Sequence, residues 1–518
     1  MNTYTKIVIA GLLCLLYLHA HAEPKTFYVI AGGTPAGNED GSQSNPFRSI
    51  QQAINAAMTN DRGSGYHTIY IGAGTYNPGE EESFTPCPTN GVAGDGIVSY
   101  YTTYPTVALI QVPRTNNLTG LRLIGAGKDA TIIDAQQAGN SNRIMYIASD
   151  YVQVKNMWLK GGKFVQGGTV NWAGAGILIH GDYVLLENVR VSDCYQNGDR
   201  NIGVIANSYA NHGNVEYMGE MLQFKNIEIC NNIHTNRGAD GGAGALYLRS
   251  SSSRLGTNFV ANAHVHSNTN MPSLFLAPEY DPGRMIAFGC LVENNKLGGG
   301  SGVQSGGEVV LWRHALFVVN CTIADNATNS IRSTYYTGGN KILNSIISNN
   351  GALPYVDSDR TLYFMYNLIN ETGFTFSSSN SGLIDGYSTS SSDDGTNITN
   401  SPPYFKNQTG RDYRLLPESP AIDAGATLLT TNASAIFPGG GSQIVRYVDV
   451  DRNNVYSRFT DVIVDLGGYV PSDSEMSTNW VMTTDLAGNA RVRRVKSNNI
   501  DMGAYEYRQP AGTIIFFK

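Results

Sequence analysis

The chain has 518 residues, of which 58 are Gly and only 15% are charged, and its formal net charge is -7. Globular proteins average about 25% charged residues and about 7% Gly, so this composition excludes a coiled coil. The net negative charge argues against nucleic acid as a partner, because affinity for nucleic acid comes largely from clustered Lys and Arg. The hydrophobic residues, 41% of the chain, are spread evenly and indicate no linker between compact domains.

The N-terminus predicts a signal peptide in residues 1–22. Lys6 precedes an apolar run from Ile7 to Leu18, and Ala20-His21-Ala22 matches a small-x-small cleavage site. We expect a mature protein that is secreted, periplasmic or at the cell surface, and that is a monomer. The alternative, an uncleaved anchor, is disfavoured by the shortness of the run. No later segment approaches the roughly 20 apolar residues that span a bilayer.

Residues 45–58 predict an N-terminal capping helix. Pro46 takes the first helical position, and one face carries Phe47, Ile50, Ile54, Ala57 and Met58. Such a helix can cover the apolar end that a solenoid exposes. The stretch Thr68–Tyr76 then predicts the first strand and a Gly turn.

Residues 150–372 contain an internal repeat with a period of roughly 22 to 38 residues. Each unit combines a short strand of alternating apolar residues with a polar corner, and none shows the 3.6-residue period of a helix. Asn suits such corners because it tolerates a left-handed backbone and its amide can bond to its equivalent one coil on. The pattern predicts a parallel β-helix. Its anchor residues are Asn156, Asn188, Asn226, Asn262, Gly289, Asn320, Asn344 and Tyr366.

Removal of the signal peptide leaves five cysteines, an odd number that cannot all pair within one chain. Cys290 and Cys321 share one phase on adjacent coils, which predicts a stacked buried pair, with a disulfide as the alternative. Cys194 and Cys230 differ in phase and are interpreted as separate thiols in the core.

The longest coils lie between Asn188 and Gly289, and polar residues gather there and one coil further on. Successive coils would line a groove along the helix axis, which suits a linear polysaccharide. Our candidate catalytic residues are Arg237, Arg249, His264, His266 and Arg284. Our candidate substrate-binding residues are Tyr247, Tyr280, Asp240, Glu279, Arg313 and His314.

Two reactions would fit such a groove. In a lyase, cations neutralise a uronate carboxylate while a basic side chain removes the neighbouring proton. In a hydrolase, a pair of carboxylates is needed, and the coils offer only Asp240, Glu279 and Asp281. The thin supply of carboxylates favours lyase chemistry or none. Solvated loop polarity is the competing interpretation for every candidate.

Metal sites are a separate question. His264 and His266 share a strand face at a spacing that suits a metal, but the sequence identifies no third ligand. Calcium is possible at Asp449-Val-Asp-Arg-Asn453 with Asp461, although Asn454 stands where a calcium loop has Gly. Asn38-Glu-Asp40 and Asp393-Asp394 are two further oxygen-rich sites. Asx-turns are the competing interpretation at each of these places.

Several motifs carry a resemblance to known proteins. Tyr28-Val-Ile30, Asn45-Pro-Phe-Arg-Ser-Ile50 and Ile69–Tyr76 resemble the opening of secreted bacterial right-handed parallel β-helix proteins of the pectate-lyase-like superfamily. Ser419–Gly425, Thr484–Arg491 and Ile500–Tyr507 are similar to the closing signature of the group called choice-of-anchor Q. The resemblance implies an all-β, right-handed parallel β-helix in residues 23–400 and a C-terminal cap region in residues 401–518. We interpret Asp423 and Asp501 in that region as structural carboxylates that accept backbone N–H groups.

Two functional hypotheses follow. The first is a secreted protein that acts on polysaccharide, as a lyase of acidic glycans. The second is a non-catalytic protein that binds glycan, or serves in surface adhesion or structure. The enzyme hypothesis requires Arg237, Arg249, His264 and Arg284 to converge in one groove.

Overall fold

The structure is a computed structural model that describes residues 23–32, 39–63, 65–79, 82–83, 85–86, 107–136, 141–165, 173–197, 202–207, 210–212, 215–217, 219–235, 243–250, 257–278, 284–296, 307–312, 316–334, 340–356, 361–374, 383–386, 397–449, 454–458, 461–472, 475, 479–491 and 500–507. Successive coils contribute strands to three faces of a parallel β-helix. The all-β fold with an N-terminal capping helix is confirmed.

The first face is a parallel ladder in which each strand pairs with its counterpart one coil on. Its strands are Val107–Val112, Ser141–Ile147, Ala173–Ile179, Ile202–Asn207, Ala243–Ser250, Leu274–Pro278, Gly307–Trp312, Asn329–Thr334 and Tyr355–Val356.

The second and third faces are also parallel ladders, and Gln153–Lys160 and Leu185–Ser192 run through the corner between them. The other strands of the second face are Thr26–Val29, Thr68–Ile71, Arg122–Gly125, Gln223–Lys225, Thr257–Ala261, Arg284–Phe288, Leu316–Val319, Asn340–Leu343, Thr361–Met365 and Leu383–Gly386. Those of the third face are Gly74–Tyr76, Thr131–Asp134, Glu228–Cys230, His264–His266, Leu291–Glu293, Thr322–Ala324, Ile346–Ser348, Leu368–Asn370 and Ile398–Thr399.

Shorter strands flank the three faces. Lys163–Val165, Tyr195–Asn197 and Ile233–His234 pair in parallel with one another, whereas Thr85–Pro86 pairs antiparallel with the first face. Ala210–His212 and Val215–Tyr217 form a hairpin. Residues 116–118 and 433–435 form single 3₁₀ turns.

The corner between the second and third faces is built from the predicted anchor residues. Each has a positive φ, from 50° at Asn262 to 65° at Gly289, the left-handed region that Asn and Gly adopt most readily. Neighbouring amides also bond along the stack: Nδ2 of Asn188 donates to Oδ1 of Asn156 at 2.8 Å. The predicted polar corner is confirmed.

A second ladder of amides runs inside the turn that follows the third face. Each Nδ2 donates to the side-chain oxygen of the next coil at 2.6 to 3.1 Å, so the buried amides are satisfied. The ladder consists of Asn232, Asn268, Asn295, Asn326, Asn350 and, at its end, Glu371.

Between these corners the third face is apolar on its inner side. Its inward residues stack at one phase from coil to coil, and all are buried. They are Leu159, Val191, Ile229, Val265, Val292, Ile323, Ile347 and Ile369. Because side chains alternate along a strand, the residues on either side of each of these positions point outward.

The capping helix spans Ile50–Thr59, a later start than the sequence predicted. Ser49 caps it by accepting the N–H of Gln52, and the buried carboxylate of Glu82 accepts the N–H of Ile50. Pro46 therefore lies before the helix instead of at its first position. The helix has no acidic residue in its first turn, so Glu82 supplies the negative charge that a helix N-terminus favours.

The first strand of the coils is Thr26–Val29, which precedes the helix and pairs with Thr68–Ile71. The prediction that Thr68–Tyr76 forms the first strand is therefore wrong, because one strand of the coils precedes it. Phe47 bridges to Val29 instead of joining the helix, because Ser49 is the cap.

The described residues between 401 and 507 pack against the outside of the later coils. The hairpin of Phe405–Asn407 and Asp412–Leu415 covers apolar outer positions of the third face, including Leu291 and Ile346. The antiparallel sheet of Leu429–Asn432, Ile444–Val448 and Val462–Asp465 belongs to the same region. Trp480 stacks on Phe259 of the second face at 4.8 Å between ring centroids.

Arg491 joins this region to the corner of the β-helix. Its buried guanidinium donates to Oδ1 of Asn262 at 3.1 Å and lies 4.7 Å from the ring centroid of Phe288. A Cβ at position 289 would collide with Nη2 of Arg491. The corner therefore carries Gly289 at the one coil where Arg491 enters.

The prediction that Asp501 is a structural carboxylate is confirmed, because Asp501 accepts the N–H groups of Asp423 and Tyr507. The backbone N–H of Asp423 donates to Asp501 from a left-handed conformation.

Cys194, Cys230, Cys290 and Cys321 are free thiols. Cys290 and Cys321 stack as predicted, with the N–H of Cys290 3.4 Å from Sγ of Cys321. No helix within the described part of the chain is long and apolar enough to cross a membrane.

Candidate functional site on the third face

The predicted catalytic residues that the structure describes do not form one groove. Arg249 lies on the first face, where its strand pairs with Leu274–Pro278. Arg284 begins a strand of the second face. His264 and His266 lie on the third face. The requirement for convergence fails because the three segments belong to different faces of the coil.

The predicted substrate-binding residues are placed only in part. Tyr247 is buried among Ala206, Ala277 and Val310, so its ring offers no exposed surface for stacking on a sugar. Outside the described residues lie the catalytic candidate Arg237 and the five other substrate-binding candidates, Asp240, Glu279, Tyr280, Arg313 and His314. Asp281 also lies outside them.

Two adjacent rows of outward side chains run along the third face, parallel to the helix axis. The first row consists of Trp158, Arg190, Glu228 and His264. The second consists of Asp134, Lys160, Ser192, Cys230, His266 and Glu293. Beyond these coils the outward positions include the apolar Ala324, Ile346 and Leu368, which the C-terminal region covers.

Trp158 and its neighbours form the start of the rows. Its Nε1 donates to Oγ of Ser192 at 2.8 Å. The Arg190 guanidinium lies 5.0 Å from the indole centroid, and Nζ of Lys160 lies 5.2 Å from it. Lys160 also pairs with Asp134 at 3.2 Å. These contacts hold two cations in place at the surface of the third face.

Glu228 is the electrostatic centre of the rows. Its carboxylate pairs with Nζ of Lys128 and Nε of Arg190, each at 3.0 Å, and lies 3.4 Å from Nε2 of His266. Burial opposes ionisation of this group, but the hydrogen bonds from His266 and Lys128 outweigh it and hold the pKa of Glu228 well below its usual range. Glu228 is therefore a carboxylate at neutral pH.

Glu293 faces both imidazoles from the next coil. Its Oε1 lies 3.2 Å from Nε2 of His264 and 4.0 Å from Nδ1 of His266. The side chain of Glu293 is fully buried, and within the described part of the chain Oε2 has no hydrogen-bond partner. Burial lowers the pKa of His264, against the opposing effect of its hydrogen bond with Glu293. We call Glu228, His264, His266 and Glu293 the imidazole–carboxylate cluster.

Cys230 is buried as predicted, but it lies beside this cluster on the outward side of the third face and not in the apolar interior. It occupies an outward position of the third face, and its Sγ lies 3.8 Å from Oε1 of Glu228. Burial, reinforced by the charge of Glu228, raises the pKa of Cys230 to about 12. The thiol therefore stays protonated and is a weak nucleophile at neutral pH.

The C-terminal hairpin forms one edge of the cluster. Nη1 of Arg411 lies 3.7 Å from Oε1 of Glu293 and 3.1 Å from Oγ of Ser267. The hydroxyl of Tyr413 donates to Asp325 at 2.7 Å and fixes the hairpin on the third face. The cluster thus lies at the boundary between the covered and the uncovered coils.

The described residues of the calcium candidates take part in turns. Oδ1 of Asp40 accepts the N–H of Ser42, and Oδ2 of Asp449 accepts the N–H of Asn454. Asp461 accepts the N–H of Ser457. Asn38, Asp451, Asn453, Asp393 and Asp394 lie outside the described residues. These contacts favour the Asx-turn interpretation for Asp40.

Sequence reasoning missed Glu228 and Glu293, although the repeat contained the signal. In the aligned units, Glu228 has the same phase as His264, and Glu293 has the same phase as His266. Residues of one phase stack on adjacent coils, so the alignment identifies the carboxylate neighbours of both imidazoles.

No family profile and no curated protein matches this chain. Among solved structures, it is similar to the pectate lyase Pel9A, with 16% identity over 79% of this chain and 93% of that one and a TM-score of 0.48. It is similar to an alginate lyase from Paenibacillus sp. str. FPU-7, with 10% identity over 67% and 95% and a TM-score of 0.37. A third likeness is to the A-module of the Azotobacter vinelandii mannuronan C-5 epimerase AlgE4, with 14% identity over 62% and 81% and a TM-score of 0.30. The parallel strand register of the chain establishes its β-helix fold independently of these likenesses.

Proposed function

We propose that this protein binds an acidic polysaccharide along the uncovered coils of the third face and acts on it at the imidazole–carboxylate cluster. The observation that carries the proposal is the division of this face. The described residues between 401 and 507 cover the later coils at apolar outward positions such as Leu291 and Ile346. The coils left uncovered carry Lys160, Arg190 and Glu228 outward.

The geometry of the rows suits a linear polymer. Parallel strands stack about 4.8 Å apart, so a polymer along the axis meets a new polar side chain at every coil. Lys160 and Arg190 are partly exposed cations held by Trp158 and by their acidic partners. A uronate carboxylate would receive charge-assisted hydrogen bonds from such groups.

Two candidate activities share this surface. Cleavage of an acidic glycan by β-elimination is the first, with the cluster as the reacting site. Non-catalytic binding is the second, and the placement of Arg249, His264 and Arg284 on three different faces favours it. Both require the polymer to contact the third face.

The Lys160→Gln variant tests this surface, and Lys155→Gln is its matched control. Both lysines lie in the strand Gln153–Lys160 and pair with a carboxylate, but Lys155 is on the second face. Loss of one charge-assisted hydrogen bond should weaken retention on an acidic polysaccharide by about tenfold. Affinity electrophoresis against a panel of uronate polymers, at low and high salt, measures this.

Equal retention of the two variants would contradict the proposal. The same panel, followed by the ultraviolet absorbance of unsaturated uronates, separates the two activities. Absorbance that grows with enzyme concentration indicates the lyase, whereas retention without product indicates the binding protein.

A further inference from the structure

The imidazole–carboxylate cluster has the donor atoms of a metal site. His264, His266 and Glu293 each offer one ligand atom, and these atoms lie within 4.8 Å of one another. We propose that these three side chains bind a divalent transition-metal ion, with Zn²⁺ as the best match to two imidazoles and one carboxylate. The ion would occupy the uncovered side of the third face and keep a coordination position open to solvent or to a ligand.

The two imidazoles already flank one oxygen of Glu293. Nε2 of His264 and Nδ1 of His266 lie 3.2 and 4.0 Å from Oε1 of Glu293. Ligands bound tetrahedrally to zinc at about 2.0 Å are about 3.3 Å apart. Small side-chain movements, which displace the contact of His266 with Oγ of Ser267, therefore complete the site.

The burial of Glu293 is the second, independent observation. A fully buried carboxylate needs compensating partners for its oxygens, yet Oε2 of Glu293 has none among the residues that the structure describes. The guanidinium of Arg411 approaches only Oε1, at 3.7 Å, and its side chain is 45% exposed. A cation between the imidazoles would compensate the charge of the Glu293 carboxylate, and the exposed Arg411 is free to turn towards solvent.

Glu228 supplies the support that metal-binding histidines require. A ligating imidazole nearly always donates its other nitrogen to a carboxylate or carbonyl, which fixes the ring. Nε2 of His266 lies 3.4 Å from Glu228, and Lys128 and Arg190 hold that carboxylate in place. This arrangement directs Nδ1 of His266 towards Glu293.

Metal titration of the mature protein, stripped with a chelator, tests the proposal. Isothermal calorimetry with Zn²⁺ should show one equivalent bound per chain. The His264→Gln and Glu293→Gln variants should lose affinity by at least about 100-fold, and Glu228→Gln by about 10- to 100-fold. Glu187→Gln, which removes a carboxylate of the second face paired with Lys155, should bind as the unmodified chain does.

Absence of a stoichiometric site, or equal affinity of Glu293→Gln and Glu187→Gln, would overturn the proposal. Thermal melts establish that each variant folds. For any variant that does not fold, the Co²⁺ spectrum of the unmodified protein decides. Ligand-field bands without thiolate charge transfer support the assignment, whereas a thiolate band would assign the ion to Cys230 and overturn it.

The metal site does not depend on the proposed glycan function. The titration contains no carbohydrate, so failure to bind metal leaves the retention experiment with Lys160→Gln intact. Conversely, loss of glycan retention leaves the zinc stoichiometry unchanged.

Discussion

Glu371 ends the inner amide ladder with a carboxylate, and this single residue makes stability depend on pH. Asn350 donates both its backbone N–H and its side-chain amide to Glu371. Burial nevertheless raises the pKa of Glu371 to about 7. Between its ordinary pKa of about 4.5 and about 7, the folded chain holds a proton here that the unfolded chain has lost. Stability therefore falls as pH rises through this window.

The Glu371→Gln variant should remove this dependence. Gln keeps an oxygen that accepts from Asn350, but it has no charge to bury. We expect the variant to unfold at a higher temperature than the parent near pH 8, and at the same temperature near pH 4, where Glu371 is protonated in both states. Thermal melts monitored by circular dichroism across this range provide the measurement. Parallel pH profiles for parent and variant would show that Glu371 does not titrate in this way.

Among single residues of the candidate site, the sequence identified His264 and His266 but not their partners. Side chains alternate between the two sides of a strand, and this local pattern is visible in the sequence. It therefore placed both imidazoles on one face. The partners Glu228 and Glu293 come from the preceding and following coils, and loops of unequal length separate them in sequence. Arg249 and Arg284 lie on other faces than the imidazoles, because charge alone does not specify which face of a coil a residue occupies.

At the scale of elements, the corner between the second and third faces is the feature that the repeat predicted best. Its left-handed residues recur at every anchor position. Gly289 departs from the Asn pattern because Arg491 of the C-terminal region enters there. The lack of a side chain at Gly289 thus leaves room for a guanidinium from a distant segment.

The Gly289→Ala variant should be destabilised, and Gly373→Ala is its matched control. Both glycines have positive φ, 65° and 79°, but a Cβ at position 373 meets nothing within 4 Å. The control should lose about 1–2 kcal/mol from the left-handed backbone alone. Gly289→Ala should lose about 2 kcal/mol more, because Arg491 must leave a fully buried position. Denaturant unfolding measures both, and similar losses would mean that Arg491 has no anchoring role.

The capping helix was predicted with the right buried residues and the wrong start. Ile50, Ile54 and Ala57 are buried, as their helical spacing indicated. The start is set by Ser49 together with Glu82, which reaches the helix from a later segment. A cap that comes from a distant segment leaves no pattern in the local sequence. Pro46, in contrast, indicated a helix start that is too early.

At the scale of the whole molecule, the C-terminal region determines which part of the β-helix is available for function. Its hairpin and sheet cover the apolar outer positions of the later coils. The edge of this covered surface lies at Arg411, beside Glu293. The sequence predicted the coils because the repeat is internal. It could not predict this placement, because contacts such as Arg491 with Asn262 join segments that share no periodic pattern.

Hydroxyl-radical footprinting with a bound acidic polysaccharide tests the central claim, that the uncovered third face is the functional surface. Trp158, His264 and His266 are readily oxidised side chains in its two rows. Tyr70 on the second face and Tyr355 on the first are exposed controls. We predict that the polymer slows oxidation of Trp158, His264 and His266 and leaves Tyr70 and Tyr355 unchanged. Protection of Tyr70 or Tyr355 without protection of the third face would contradict the claim.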